Sequence, residues 1–131
     1  MRILICLLYV VMALGEVWAQ DPVKTDSDKY QVVFENERVR VLQYRDKPGD
    51  KTTMHAHPDF VVVSRSAFKR RLTLPGGKSA MREFKPGEVM WTDAQSHIGE
   101  NIGDTDTDVL IIELKEPRQP KTGRATPQLQ R

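Results

Sequence analysis

From Tyr30 onward the chain alternates short β-branched and aromatic runs with polar turns, and nowhere sustains a helical period. YQVVF at 30–34 and VRVLQY at 39–44, parted by ENER, read as a hairpin. KPGD at 47–50 turns the chain and 52–57 resumes it, followed by runs at 60–63, 68–74, 81–84, 89–92 and 109–114. Between them PGG at 75–77, KPGE at 85–88 and NIGDTD at 101–106 are turns in which glycine supplies positive φ. Short strands spaced by turns predict an antiparallel β-sandwich or small barrel with little helix. No internal repeat is present.

The two ends depart from this pattern. Residues 1–19 carry an early cation at Arg2, an apolar run from Ile3 to Leu14, a break at Gly15 and the small-residue ending Val17-Trp18-Ala19. This is the layout of a secretory signal peptide, with cleavage expected after Ala19. A membrane span needs about 20 apolar residues; this run is shorter and is followed by Glu16, so no stable membrane insertion is expected after cleavage. Residues 20–29 (QDPVKTDSDK) read as a flexible leader, 30–115 as the folded domain, and 116–131 (EPRQPKTGRATPQLQR) as a flexible Pro-rich, basic tail.

Composition narrows the function classes. The chain of 131 residues has a net charge of +2, and Arg2 and Glu16 leave together on cleavage, so the mature charge is unchanged. That balance carries no nucleic-acid footprint. The single cysteine, Cys6, lies in the signal segment, so the mature chain has neither disulfide nor thiolate chemistry. Export without disulfides suits a periplasm as well as a secreted protein. Arg65, Lys69, Arg70 and Arg71 crowd one run that could meet an anionic ligand or partner, but consecutive cations alternate faces, and the favoured reading is a solvated edge that discourages edge-to-edge pairing.

The chemistry rests on three histidines. His55 and His57 are two apart on an expected strand, so both imidazoles face the same way. If His97 sits on a strand across the barrel from that pair, the three converge on one ion, and imidazole suits iron, zinc, nickel and copper. Asp59 shares the parity of the pair and is a candidate for touching the metal or its water, the alternative being a turn residue beside Pro58. Met90 and Trp91 are candidates for lining a pocket or for core, and Phe60 reads as core. No serine, threonine or lysine has a recognisable activating neighbour, so any chemistry falls to the metal.

Gly49, five residues, then His55-Ala56-His57 resembles the first motif of the cupin superfamily, which continues after three or four residues with a glutamate. Gly87 through His97 to Asn101 is similar to the second motif, and GENIGDTDTDVLIIELK to the close of a small single-domain cupin. The resemblance implies a double-stranded β-helix, or jelly-roll barrel, over about residues 30–115, with His55, His57 and His97 as metal ligands. It makes Gly49 and Gly87 turn glycines and Asn101 a structural residue, and it implies a homodimer. Two positions depart from the pattern: the glutamate slot is Val61 or Val62, and Thr92-Asp93-Ala94 stands where the family has Pro-x-Gly. Three neutral imidazoles leave a divalent ion its full charge, which disfavours hard, oxygen-preferring ions. Three imidazoles plus water is nonetheless a catalytic zinc arrangement.

Three functions stay open. The first is a metal-dependent enzyme using iron, zinc, manganese, nickel or copper. Either iron(II) engages a small organic acid or diketone-like substrate and O₂, as the resemblance implies, or zinc or manganese polarises a carbonyl for isomerisation, decarboxylation or hydrolysis. The second is a non-catalytic module that holds a small molecule or metal. The third is a structural barrel with a vestigial site.

Overall fold

The computed structural model describes residues 20–116; the expected signal peptide and the expected tail beyond Glu116 lie outside the described residues. The domain is built of β1 (Tyr30–Glu35), β2 (Val39–Asp46), β3 (His55–His57), β4 (Phe60–Ser64), β5 (Phe68–Thr73), β6 (Ser79–Phe84), β7 (Val89–Thr92), β8 (Gln95–Asn101) and β9 (Thr107–Leu114). One antiparallel sheet runs β1-β2-β9-β4-β7 and the other β3-β8-β5-β6. This is the all-β, double-stranded β-helix arrangement that the resemblance implies.

Local chemistry explains the hairpins. Asn36 closes the first, its Oδ1 accepting from the Arg38 and Val39 amides at 2.8 and 2.9 Å. Gly49 (φ 87°) and Gly87 (φ 81°) take left-handed backbone in the KPGD and KPGE turns, where a Cβ would be strained. In β9 Thr107, Val109, Ile111 and Glu113 face inward by strict alternation. Leu42, Tyr44, Phe60, Val62, Phe68, Phe84, Val109 and Ile111 form the core with Tyr30.

Two expectations are corrected, and the route by which His97 meets the pair is settled. Residues 20–29 are not a loose leader: Asp21 caps a short helix, α1 (Pro22–Thr25), whose Pro22 is buried, and Asp26 is 5% exposed. The Asp-Pro pair is a helix start, with an N-cap acceptor followed by a residue that lacks the orphan N–H. The basic run is not a sheet edge, because β5 lies between β8 and β6. Arg65 and Lys69 are exposed, but Arg70 faces inward and is 8% exposed. His97 reaches the pair from the adjacent strand rather than from across the barrel. β8 is the hydrogen-bonded neighbour of β3, and His55 and His97 are direct partners in its register.

Candidate metal centre

Parity on β3 and register against β8 bring the three imidazoles together. Ring centroids lie 4.9 Å apart for His55 and His57, 4.7 Å for His55 and His97, and 5.3 Å for His57 and His97. All three residues are buried, and one ring nitrogen from each lies within 4.8 Å of the others.

Each ring of the pair is oriented by a partner on its far nitrogen. His55 Nδ1 lies 2.9 Å from the Thr53 carbonyl, which can only accept, so Nδ1 carries the proton and Nε2 accepts from the Tyr30 hydroxyl at 3.1 Å. His57 Nδ1 lies 2.6 Å from Glu113 Oε1, and the other carboxylate oxygen accepts from Arg40 Nε at 2.6 Å. Burial alone would raise the Glu113 carboxyl, but the hydrogen bonds from His57 and Arg40 outweigh it and hold the group below the usual range. It is therefore a carboxylate, and His57 donates to it.

Burial, reinforced by His57, pushes His55 down to about 4; burial, reinforced by His57 and His55, pushes His97 down to about 2. Both are neutral at pH 7, the state in which imidazole ligates metal. His57 Nε2 and His97 Nδ1 are buried without a hydrogen-bond partner among the described residues. Buried nitrogens are seldom left unpaired, because the group forfeits its hydration. Three converging imidazoles, two of them with an unpaired nitrogen, fit a divalent transition metal, with Glu113 and the Thr53 carbonyl orienting the pair from outside.

A cavity of about 60 Å³ opens beside His57 and His97, walled by Phe60, Val62, Leu72 and Met90, with Thr92 and Gln95 also lining it. Arg70 lines it too. Its Nη1 donates to Asp46 Oδ2 at 2.9 Å and its Nη2 to the Tyr44 hydroxyl at 2.9 Å, with the guanidinium 4.5 Å from the Tyr44 ring centroid. Gly99, two residues beyond His97 on β8, makes room for it: a Cβ there would collide with the Arg70 guanidinium. Asn101 is the structural residue expected, donating to Asp46 Oδ1 at 3.1 Å and to the Thr105 carbonyl at 2.9 Å.

The remaining candidates separate. Asp59 is outside the histidine cluster and accepts from the Ala94 amide at 2.8 Å, which makes it a turn residue bracing the β7–β8 connection. Met90 lines the cavity, whereas Trp91 faces outward, 50% exposed, and donates to Asp93 at 2.8 Å. Phe60 is core and also cavity wall. In the glutamate slot Val62 points into the cavity and Val61 is its outward neighbour. Sequence reasoning missed Glu113, and it assigned Arg70 to a solvated edge rather than to the cavity wall. The signal for Glu113 was its phase with Val109 and Ile111 on an alternating strand, which puts an acid on the inner face.

Fold and site together define a small jelly-roll barrel with a three-histidine pocket. A cupin domain from Bordetella pertussis superposes with a TM-score of 0.61 at 31% identity, over 66% of this chain and 92% of that one. The chain belongs to the cupin superfamily. A cupin superfamily protein from Desulfitobacterium hafniense matches with a TM-score of 0.52 at 15% identity, over 66% of this chain and 76% of that one. An RmlC-like cupin from Methanocaldococcus jannaschii matches with a TM-score of 0.52 at 14% identity, over 65% and 77%. These two agree in fold alone. No protein-family model matches the chain, and neither does any curated protein.

Proposed function

We propose that this is an exported cupin that holds a divalent transition metal on His55, His57 and His97 and presents it to a small oxygenated ligand in the adjoining cavity. The observation that carries the reading is the convergence of three buried imidazoles, two of them with an unpaired ring nitrogen. The cavity has room for roughly four or five waters, so the ligand portion it encloses is small. Its apolar walls take a short hydrocarbon body, while Gln95 and Thr92 offer polar contacts and Arg70 retains donors beyond the two it uses. A bound metal supplies Lewis-acid polarisation of a carbonyl or carboxylate oxygen. Oxygenase-like or isomerase-like turnover of a small organic acid is the enzymatic form of this proposal.

The alternative form is a binding module without turnover. It is favoured by the engagement of nearby acids: Glu113 is held by His57 and Arg40, and Asp46 by Arg70, Tyr44 and Asn101. Export rests on the apolar run from Ile3 to Leu14 and its Val17-Trp18-Ala19 ending. A homodimer is part of the proposal, supported by the apolar Val33 and Phe34 exposed on the edge strand β1.

The test is elemental analysis of untagged protein purified without chelator, alongside His55→Ala and His97→Ala. About one transition metal per chain in the wild type, lost in both variants, is expected for a three-ligand site. Absence of metal even after reconstitution overturns the reading. Turnover by the loaded protein excludes the pure binding module.

A further inference from the structure

The segment ahead of the barrel meets the histidine strand in three places. β3 is three residues long and forms one edge of its sheet. On its open side the Ala56 amide, between the two histidines, donates to the Gln20 carbonyl at 3.0 Å. Asp21 reaches His57 through a chain of charge-assisted bonds. Its two carboxylate oxygens accept from Arg40 Nη1 and Nη2 at 3.0 and 3.2 Å, Arg40 Nε donates to Glu113 at 2.6 Å, and Glu113 accepts from His57 at 2.6 Å. Asp26 reaches His55 through Thr53: its carboxylate accepts from the Thr53 amide and hydroxyl, each at 2.9 Å, and the Thr53 carbonyl accepts from His55 Nδ1.

We propose that residues 20–26 are a working part of the metal site: a strap whose Asp21, through Arg40 and Glu113, positions His57, and whose Asp26, through Thr53, positions His55. The inference rests on the metal-binding reading and adds to it residues outside the barrel motifs. Arg40 and Glu113 are cross-strand partners on β2 and β9, so their contact is built into the sheet. The bridge from Arg40 to Asp21 is not built in; it exists because α1 starts where it does. The guanidinium is held between two carboxylates, leaving the group of three with net charge −1 on the far side of His57. That negative charge, delivered to Nδ1–H, strengthens Nε2 as a donor and fixes the ring plane. Asp21, Arg40, Asp26 and Glu113 are positioning residues and touch no metal themselves.

The experiment uses the chain with its N-terminal segment intact. It compares wild type, Asp21→Asn, Arg40→Lys and Glu113→Gln by Co²⁺ titration, the visible ligand-field spectrum of the Co²⁺ form, and the ¹⁵N shifts of the His57 ring in metal-free protein. Glu113→Gln keeps an acceptor but removes the charge, and should weaken Co²⁺ binding about 10- to 100-fold. Asp21→Asn, at a partly exposed position, should weaken it by about two- to tenfold, the worth of one net hydrogen bond. Arg40→Lys keeps the charge but cannot bridge two carboxylates, and should fall near Asp21→Asn. All three should shift the ligand-field bands and the His57 ring resonances while circular dichroism stays native.

Unchanged affinity, spectrum and ring shifts in Asp21→Asn and Arg40→Lys overturn the proposal. If Glu113→Gln does not fold, these two variants decide. A wild type that takes no Co²⁺ sinks the metal reading; the positioning of His57 then stands or falls on whether its ring shifts respond to Asp21→Asn.

Discussion

Replacing Arg70 by methionine tests how the cavity wall is held together. The Arg70 side chain is 10% exposed and that of Asp46 is fully buried, so each charge depends on the other for compensation. Arg70→Met removes the bond to Asp46 and the one to Tyr44, leaving the Asp46 carboxylate with Asn101 and the Tyr44 hydroxyl as donors. Breaking one side of a buried ion pair costs about 3–5 kcal/mol. A domain of this size is stable by about 5–15 kcal/mol, so the variant gives up a large part of its margin. Asp46→Leu should lose a similar amount, by stranding Arg70. The double variant Arg70→Met/Asp46→Leu removes both charges at once and should lie within about 2 kcal/mol of wild type, since apolar replacement of a whole buried pair is often near neutral. The coupling between the two sites is then several kcal/mol, well above the threshold for interacting residues. Urea unfolding followed by circular dichroism at neutral pH with chelator measures all four corners of the cycle. Single losses below about 1 kcal/mol, or additive losses, would refute the argument that the pair is buried and mutually dependent.

Two further outcomes follow from the histidines. Metal-free protein should lose stability as pH falls: His55 and His97 have folded values below the ordinary 6.5, so the unfolded chain binds more protons, and stability present above about pH 6.5 declines toward the folded values. From about pH 7.5 to about pH 5 the two should cost roughly 3–4 kcal/mol, before the depressed carboxylate of Glu113 begins to protonate; a denaturation midpoint flat across that window contradicts the burial argument. Tyr30→Phe should tighten Zn²⁺ binding by about two- to tenfold, because the hydroxyl bonds to His55 Nε2 and that bond must break before the nitrogen can ligate; isothermal titration showing weaker binding would count against it.

The parts of the molecule that were legible in the sequence are those where a period or a backbone constraint speaks locally. The strand runs carry period-2 alternation, Gly49 and Gly87 mark turns that need positive φ, and the spacing of His55 and His57 sets both rings on one face. β8 gave a weaker signal, because its inward positions are Gln95, His97, Gly99 and Asn101, so the usual apolar-in pattern is inverted. The strand beside the histidine pair stayed open for a different reason: parity says which face a side chain takes, not which strand lies next to it. Glu113 is 56 residues from His57, and Arg70 is one of four cations whose alternation gives two faces without saying which is buried. The Asp21-Pro22 start of α1 was readable as a helix cap, but a four-residue helix offers no periodicity to support it.

Valine stands in β4 where the cupin pattern has a glutamate, and that difference has a chemical consequence. Glu113 stands on β9 opposite Phe60, one strand away from the apolar slot, but its carboxylate meets His57 Nδ1 rather than the side from which a metal would bind. The negative charge therefore acts through an imidazole. A divalent ion on three neutral nitrogens keeps its charge and suits borderline metals; a carboxylate oxygen pointing into the cavity would favour harder ones. Position 62 is the place to restore it, since Val62 lines the cavity with His57 and His97 while Val61 is on the opposite face of β4. Val62→Glu should raise Mn²⁺ affinity relative to Zn²⁺ and destabilise the metal-free barrel, where the new carboxyl is buried without a partner. Val61→Glu should leave the metal preference at the wild-type value. Competition titrations with the two ions decide the matter: a shift in Val61→Glu, or none in Val62→Glu, would mean that the slot does not control which metal the barrel prefers.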